Sequence, residues 1–577
     1  MLAFLKYRRT LLLLFIFFTL AWFFTLNYRY LIGTDEGRYA EMAREMFTSG
    51  DWITTRYNDY KYFEKPPLQT WMTAISFTLF GIGEWQARLW TAVCGYAGIL
   101  LIGFTGAKIF DVKTGLISAL ILASAPYWNI MGHFNSLDMG LALMMTLSLC
   151  ALLLAQRSAI SYSNQRKWML LCWAAMGLAV LSKGLIGIVL PGAILIIYTL
   201  LTRDFAIWRR LHIVGGLIIF LVITAPWFIA VQRANPEFFD FFFINEHFRR
   251  FLKTDHQRTG APWYFFPVLI IGFLPWLLLI PQTVKQIKIF PVLSNENLSH
   301  RNLSHEKINH RNFNQCFRPT ILLTIWIVFI FIFFSISQSK LISYALPIAP
   351  AIALVLGLAL AKLEHHRLRK IYLYSIAICA IGLAAVPTLY MLGSPETPES
   401  LYRAYGNWIY VSLTLGVLGS AAALYVNSRS VQKSKFIKYY DLIIYAFTWF
   451  FIISLAGNAH NIFGKSSSGA LIAPIVKAKL EQTPAAPFYS IGMLDHTFPF
   501  YTQRTMTMVA VKSELAFGIQ QEPNKWIATI EEWKEKWLNQ PQAFALMPPK
   551  IYEQLHDALF PMRVIARDER RVIVTRH

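Results

Sequence analysis

The chain has 577 residues, 55% hydrophobic, 15% aromatic and only 15% charged, with a mean hydropathy of +0.43. A soluble domain is nearer about 45–50% apolar and about 25% charged, so this composition excludes a disordered chain, a fibrous protein and a single soluble core. Lys and Arg outnumber Asp and Glu by 54 to 32, a net charge of +22, but successive apolar runs of spanning length point to a polytopic α-helical membrane protein and not to a nucleic-acid binder.

The first run, Leu11–Leu26, follows Lys6, Arg8 and Arg9. Trp22, Phe23 and Phe24 stand where a small-residue cleavage site would be, so the run reads as an anchor with its N-terminus inside. Further runs centre near residues 98, 121, 146, 175, 194, 221, 272, 329, 350, 381, 417 and 449. The length rule then gives about 13 transmembrane helices. Every second loop is basic, from Lys108/Lys113 and Arg157/Arg166/Lys167 to Arg429/Lys433/Lys435/Lys438. That alternation expects a cytoplasmic N-terminus and, after an odd number of crossings, an outside C-terminus. Residues 1–457 form the membrane domain on this division, with a polar inside insertion at 282–318 rich in Asn, His and Ser.

Residues 458–577 differ in kind. Short β-rich runs, Phe488–Gly492, Met506–Val511, Ala543–Met547, Val564–Arg567 and Val572–Thr575, alternate with helical patterns, the clearest being Trp526–Leu538 with Trp526, Ile530, Trp533 and Trp537 on one stripe. One small α/β domain is expected. Cys94, Cys150, Cys172 and Cys379 fall in apolar runs, and with Cys316 they show neither metal-ligand nor disulfide spacing.

Two outside loops break the charge pattern. Residues 27–67 carry both signs densely, beginning Thr34-Asp35-Glu36-Gly37-Arg38-Tyr39-Ala40-Glu41. Thr34 is a plausible N-cap with acids in the first turn, and Arg38, Glu41 and Glu45 would share one face as a salt-bridge ladder. The ladder leaves Asp35 and Glu36 unexplained, and acids at the lip of a span suit a reaction at the bilayer surface as base, metal ligand or donor-orienting group. Downstream, Tyr62-Phe63-Glu64-Lys65-Pro66-Pro67-Leu68 stiffens into a segment on which Lys65 could hold a phosphate and Glu64 a cation; a stiff loop with surface charges would look the same. The second loop, 231–263, contains Asn245-Glu246-His247-Phe248-Arg249-Arg250, an imidazole beside two guanidiniums, which fits an anion site; headgroup contact is the plain alternative. His133, Asn135 and Asp138, then Lys183, then Ser339, Lys340 and Tyr344 stand where spans meet the outside. Ionisable groups at such depth are functional candidates by default, against snorkelling for Lys183 and a structural role for His133.

No Walker A, H-E-x-x-H or G-x-S-x-G pattern occurs, so the energy for any transfer would arrive in an activated substrate such as a lipid phosphate-linked sugar. The runs Asp35–Glu41, Ser49-Gly50-Asp51-Trp52 and Tyr62–Leu68 resemble the first outside loop of the lipid A aminoarabinose transferase family, within the membrane-embedded C-type glycosyltransferases. That resemblance implies an inverting enzyme of the bacterial inner membrane with a periplasmic C-terminal domain. It would move a sugar from undecaprenyl phosphate to lipid A or another glycolipid, with membrane lipids as its surroundings and no nucleic acid as partner. It implies Asp35 as the catalytic residue at the reacting centre. Arg38, Tyr62, Lys65, Asp138, Lys183, Arg250 and Tyr344 would bind substrate or its phosphate, and Glu64 and His247 would hold a divalent cation such as Zn2+. Aminoarabinose, galactosamine and neutral hexoses all stay open as the sugar. A protein O-mannosyltransferase shares the acidic motif but lacks the Glu-Lys-Pro-Pro run, and a transporter would place its ionisable pairs mid-helix.

Overall fold

The computed structural model describes residues 2–158, 160–249, 260–280, 317–394, 397–430 and 439–576. The first eight long elements are α1 (Leu2–Phe24), α2 (Gly33–Ser49), α3 (Leu68–Phe80), α4 (Glu84–Ile109), α5 (Val112–Ser124), α6 (Pro126–Gly132), α7 (Leu137–Ala155) and α8 (Tyr162–Lys183), with a hairpin of β1 (Arg56–Tyr57) and β2 (Tyr60–Lys61) after α2. Each apolar run of the sequence falls on a helix. By length and apolar character, however, nine described helices can cross a membrane, ten if α5 and α6 count as one span bent by 64°. Among the described residues this bears out a polytopic helical membrane protein and leaves the number thirteen unconfirmed. Pro126 opens α6 and cannot donate into the preceding turn, which breaks that span. Ile186–Thr202 has 17 residues, and within the described residues the run near 272 forms Phe265–Gly272 and the 3-10 turn Trp276–Leu279. Most of the polar insertion at 282–318 lies outside the described residues.

The core of the bundle is α7, buried over 94% of its apolar window. It is flanked by α4 and α8. The four described cysteines are buried thiols.

The first outside loop is not a loop. It folds into α2, almost wholly buried from Glu36 to Met46, and into the β1–β2 hairpin. Thr34 lies inside α2 and is not its cap; the boundary residue is Ile32, whose N–H is taken by Glu36 Oε2 at 3.1 Å. Glu36 is a junction. Its carboxylate accepts from Arg29 (2.7 and 3.1 Å), from Arg88 on α4 (2.7 and 3.0 Å) and from the Asn135 N–H at the start of α7 (3.1 Å). The expected Arg38–Glu41–Glu45 ladder does not form. Glu41 instead pairs with Arg44 at 2.6 Å, and Glu45 accepts the N–H groups of Asn58 (2.5 Å) and Asp59 (2.8 Å). Asn58 and Asp59 have φ of +50° and +64°, the left-handed turn that closes a two-residue hairpin.

The C-terminal part contains a six-stranded sheet, β5-β4-β3-β6-β8-β7, from β3 (Phe488–Ile491), β4 (Thr507–Val509), β5 (Trp526–Ile527), β6 (Phe544–Met547), β7 (Arg563–Arg567) and β8 (Val572–Thr575). The first four in spatial order are parallel, and β8 and β7 add antiparallel. Strands β3, β6 and β8 are buried on both faces. The helix expected over Trp526–Leu538 begins only at Ile530, because Thr529 caps it and Trp526–Ile527 is spent as β5.

This domain is clamped to the first loop. Asn58 exchanges two hydrogen bonds with the Met506 backbone (2.7 and 2.8 Å), and Phe241 stacks on Phe517 at 3.8 Å. The loop after β3 sits directly on α2: a Cβ at Gly37 would come within 2.2 Å of the His496 carbonyl oxygen, so only glycine permits the approach.

Burial alone would raise the Glu36 carboxyl, but the guanidiniums of Arg29 and Arg88 outweigh it and hold the group down at about 2. A depressed folded value means stability that is present above the unfolded range near 4.5 and is lost as pH falls towards 2. Glu36→Gln is expected to remove about 3 kcal/mol at neutral pH. Melting curves in detergent at pH 7 and pH 3 check this: the variant should melt well below wild type at pH 7, and the gap should narrow at pH 3.

Candidate active site

At the outer end of the bundle the N-terminal turn of α2, the segment after β2, the ends of α7 and α8, and the loops at the carboxyl ends of β3 and β4 converge. Asp35 lies in the first turn of α2, half-exposed, and one of its oxygens pairs with Arg38 one turn on. The Arg38 guanidinium is nearly buried, and it also reaches the Tyr62 hydroxyl (3.2 Å) and the carboxylate of Glu514. Helical spacing explains the Asp35–Arg38 contact; only the tertiary fold brings Tyr62 and Glu514 to it.

Tyr39, buried beside them, lies within electrostatic reach of Asp35, Arg38, Asp138 and Glu64 together, and so marks the centre of the group. Asp138 opens α7 and is ion-paired to Lys183, the last residue of α8. The Lys183 ammonium stands 4.4 Å above the centre of the Tyr344 ring. Asp35 acts on that same ammonium through space. Lys65 donates to the Glu64 carbonyl (2.7 Å) and approaches Glu246 at 3.6 Å, which ties the first loop to the segment Asp240–Arg249.

Asp35, Arg38 and Tyr62 thus form one contact cluster with Glu514, and Asp138, Lys183 and Tyr344 form a second, with Asp35 and Lys183 close enough to act on each other through space. Lys65 adjoins them through Glu64. The side chain of His247 and the whole of Arg250 lie outside the described residues. His133 stands apart, its ring nitrogens each 2.8 Å from a backbone carbonyl, which is a structural role.

For the expected cation, the donor set is thin. Among the described residues no three His, Cys, Asp or Glu side chains converge as ligands. Glu64 represents the expected pair alone, in the field of Glu514. The other member of that pair, His247, has its side chain outside the described residues, so the fit to a cation rests on donor type, a carboxylate and an imidazole.

Sequence reasoning missed Tyr39, Glu514 and His496. Tyr39 lay inside the quoted motif, but its hydroxyl has no spacing signal. Glu514 and His496 come from the distant domain, and nothing local marks them. His496 contacts the Tyr57 hydroxyl (2.7 Å) and Glu514 (3.2 Å). Burial first, and then the charge of Arg38, push its imidazole down to about 4, so it is neutral and makes no ion pair. Burial raises the Glu514 carboxyl, with Glu64 and Asp35 adding to the rise against the pull of Arg38.

Helices roofed by an α/β domain, with acids and cations gathered where the two meet, define a membrane-embedded glycosyltransferase. The family model "Dolichyl-phosphate-mannose-protein mannosyltransferase" matches residues 64–229. The more particular match is to the "Aminoarabinose transferase C-terminal domain", over residues 472–576. The undecaprenyl phosphate-alpha-4-amino-4-deoxy-L-arabinose arabinosyl transferase of Shewanella sediminis is 30% identical over 71% of this chain and 73% of its own length. The Pseudomonas aeruginosa protein of the same name is 29% identical over 72% and 70%. The crystal structure of ArnT from Cupriavidus metallidurans bound to undecaprenyl phosphate superposes with a TM-score of 0.89 at 40% identity, covering 98% of each chain. The chain belongs to the aminoarabinose transferase family.

The Asp138–Lys183 pair is buried between two helix ends, so breaking it from one side strands a charge. Lys183→Met is expected to cost about 3–5 kcal/mol, and Asp138→Asn combined with Lys183→Met to recover most of it. Thermal unfolding of the single and double variants in the same detergent measures both effects.

Proposed function

We propose that the chain transfers 4-amino-4-deoxy-L-arabinose from undecaprenyl phosphate to lipid A, at the outer face of the bacterial inner membrane, with the C-terminal domain in the periplasm. The observation that supports this best is the Asp35–Arg38 pair with the Asp138–Lys183–Tyr344 cluster in its electrostatic reach. It stands in a chain that matches, over nearly its whole length, a structure crystallised with undecaprenyl phosphate. The basic alternation of the inside loops supports the same orientation.

In this mechanism the carrier phosphate is met by Lys65, with Arg250 from the second outside loop. An acceptor oxygen of lipid A forms its bond to the anomeric carbon as the bond from that carbon to the carrier phosphate oxygen breaks. Undecaprenyl phosphate departs with the electron pair, and the configuration inverts. Stabilising the charge that grows on the departing phosphate is the main service of the cations. A phosphate acceptor is already a nucleophile, and Asp35, with one oxygen engaged by Arg38, orients it or the sugar. A hydroxyl acceptor would need Asp35 as general base. Lys183, paired with Asp138 and set over the Tyr344 ring, acts as a substrate-binding residue, and Tyr62 and Arg38 stand beside Asp35. A divalent cation held by Glu64 and His247, a carboxylate and an imidazole that suit zinc, would add positive charge near the phosphate; no step above is routed through it.

Asp35→Asn, expressed to wild-type level in cells lacking their own enzyme, is expected to lower transfer at least about a hundredfold. Mass spectrometry of lipid A reads the result, and retention of the added sugar mass removes Asp35 from the chemistry. A sugar mass found on proteins and not on lipid A would favour the mannosyl alternative. For the cation, elemental analysis of the purified chain is expected to show zinc that falls in Glu64→Ala and His247→Ala. Equal metal content in all three preparations dismisses the site.

A further inference from the structure

The mechanism so far leaves the C-terminal domain without a task, yet this domain reaches into the site. Its sheet turns the carboxyl ends of β3 and β4 onto α2, the edge at which parallel α/β sheets present functional loops. The loop after β3 supplies His496, and the loop after β4 supplies Glu514. The β4 loop is held in costly backbone: Ala510 and Ser513 have φ of +55° and +43°, a conformation that non-glycine residues keep only when their surroundings impose it. Asp495, in the β3 loop, accepts the N–H groups of Thr497 (2.9 Å) and Phe498 (2.8 Å) and pairs with buried Arg571. Gly37 lets that loop rest directly on α2. Both loops are thus fixed relative to Asp35.

We propose that Glu514 is a positioning residue of the transfer site, acting on Asp35 chiefly through the guanidinium of Arg38 that the two acids share. The geometry is a shared guanidinium. Arg38 Nη1 is taken by Glu514 and by the Tyr62 hydroxyl, whereas Nη2 goes to one oxygen of Asp35. A guanidinium released from Glu514 can turn both its nitrogens onto a carboxylate, the preferred fork-to-fork arrangement. Both Asp35 oxygens would then be occupied and neither would face substrate. Glu514 keeps Arg38 divided between two acids, so that the second oxygen of Asp35 is left for acceptor or donor. His496, neutral and anchored to Tyr57, backs Glu514 from behind.

This rests on the functional reading above, and the test separates the two. Full-length wild type, Glu514→Gln, Glu514→Ala, Arg38→Lys and the Arg38→Lys/Glu514→Ala double variant are assayed with undecaprenyl phosphate-aminoarabinose and lipid A. Glu531→Gln, on an exposed helix of the same domain, is the control and should match wild type. Glu514→Ala is expected to lower kcat about tenfold or more with KM for the lipid donor within about twofold, and Glu514→Gln, which keeps an acceptor oxygen of equal reach, to fall between. The double variant should lose little more than Arg38→Lys alone, because the contact of Glu514 with the site runs through Arg38. Wild-type kcat in Glu514→Ala, losses that multiply in the double variant, or a rise in KM at unchanged kcat would each overturn the proposal. Should Glu514→Ala fail to fold, the isosteric Glu514→Gln carries the same cycle. A wild-type chain that transfers nothing sinks the functional reading instead, and the cycle is then read in melting temperature, where additive shifts refute the Arg38–Glu514 linkage.

Discussion

One buried carboxylate decides where the rest of the site can stand. Glu36 has no exposure, and it is neutralised by two guanidiniums from different parts of the chain, Arg29 just beyond α1 and Arg88 on α4. A lone carboxylate at such depth would be untenable, and two arginines without it equally so. The three therefore have to meet, and meeting fixes the N-terminus of α2 against the end of the first span and the start of α7. Asp35 is the adjacent residue, so its position follows from a charge constraint one residue away.

A second constraint comes from above the membrane domain. The α/β sheet is docked through backbone-precise contacts, the Asn58 amide on Met506 and the glycine-only approach of the His496 carbonyl to Gly37. Contacts of this kind tolerate little sliding. Glu514 therefore arrives at Arg38 with a defined geometry, and the acids and cations of the site are drawn from both domains. Arg38 is shared by two acids and Lys183 is paired with Asp138.

Much of this was legible in the linear chain. The apolar runs fall on helices, the strands near 488, 507, 544, 564 and 572 are where β-rich runs lie, and Asp35, Arg38 and Tyr62 of the first-loop motif do come into contact. The departures have physical causes. Counting spans by apolar runs treats each as one straight helix, and Pro126 opens a helix bent by 64° from the one before it. The salt-bridge ladder on α2 was inferred from helical spacing as though the helix were solvated. In fact α2 is buried; Asp35 and Glu41 do pair within the helix, with Arg38 and Arg44, but Glu36, Arg38 and Glu45 are also claimed by Arg88, Glu514 and the hairpin backbone.

Local chemistry in a sequence reports what a segment prefers when its neighbours are water or lipid. It was therefore sufficient for the membrane class, the α/β tail, and the acidic and Lys-Pro-Pro segments, because hydropathy, periodicity and proline stiffness act within a few residues. Which charges neutralise which is a long-range matter, set by burial and by the distances that packing imposes. Arg88 with Glu36, Glu514 with Arg38 and Lys183 with Asp138 are separated along the chain by 52, 476 and 45 residues. Only the folded molecule, where low dielectric makes an unpaired charge too costly to keep, could choose those partners.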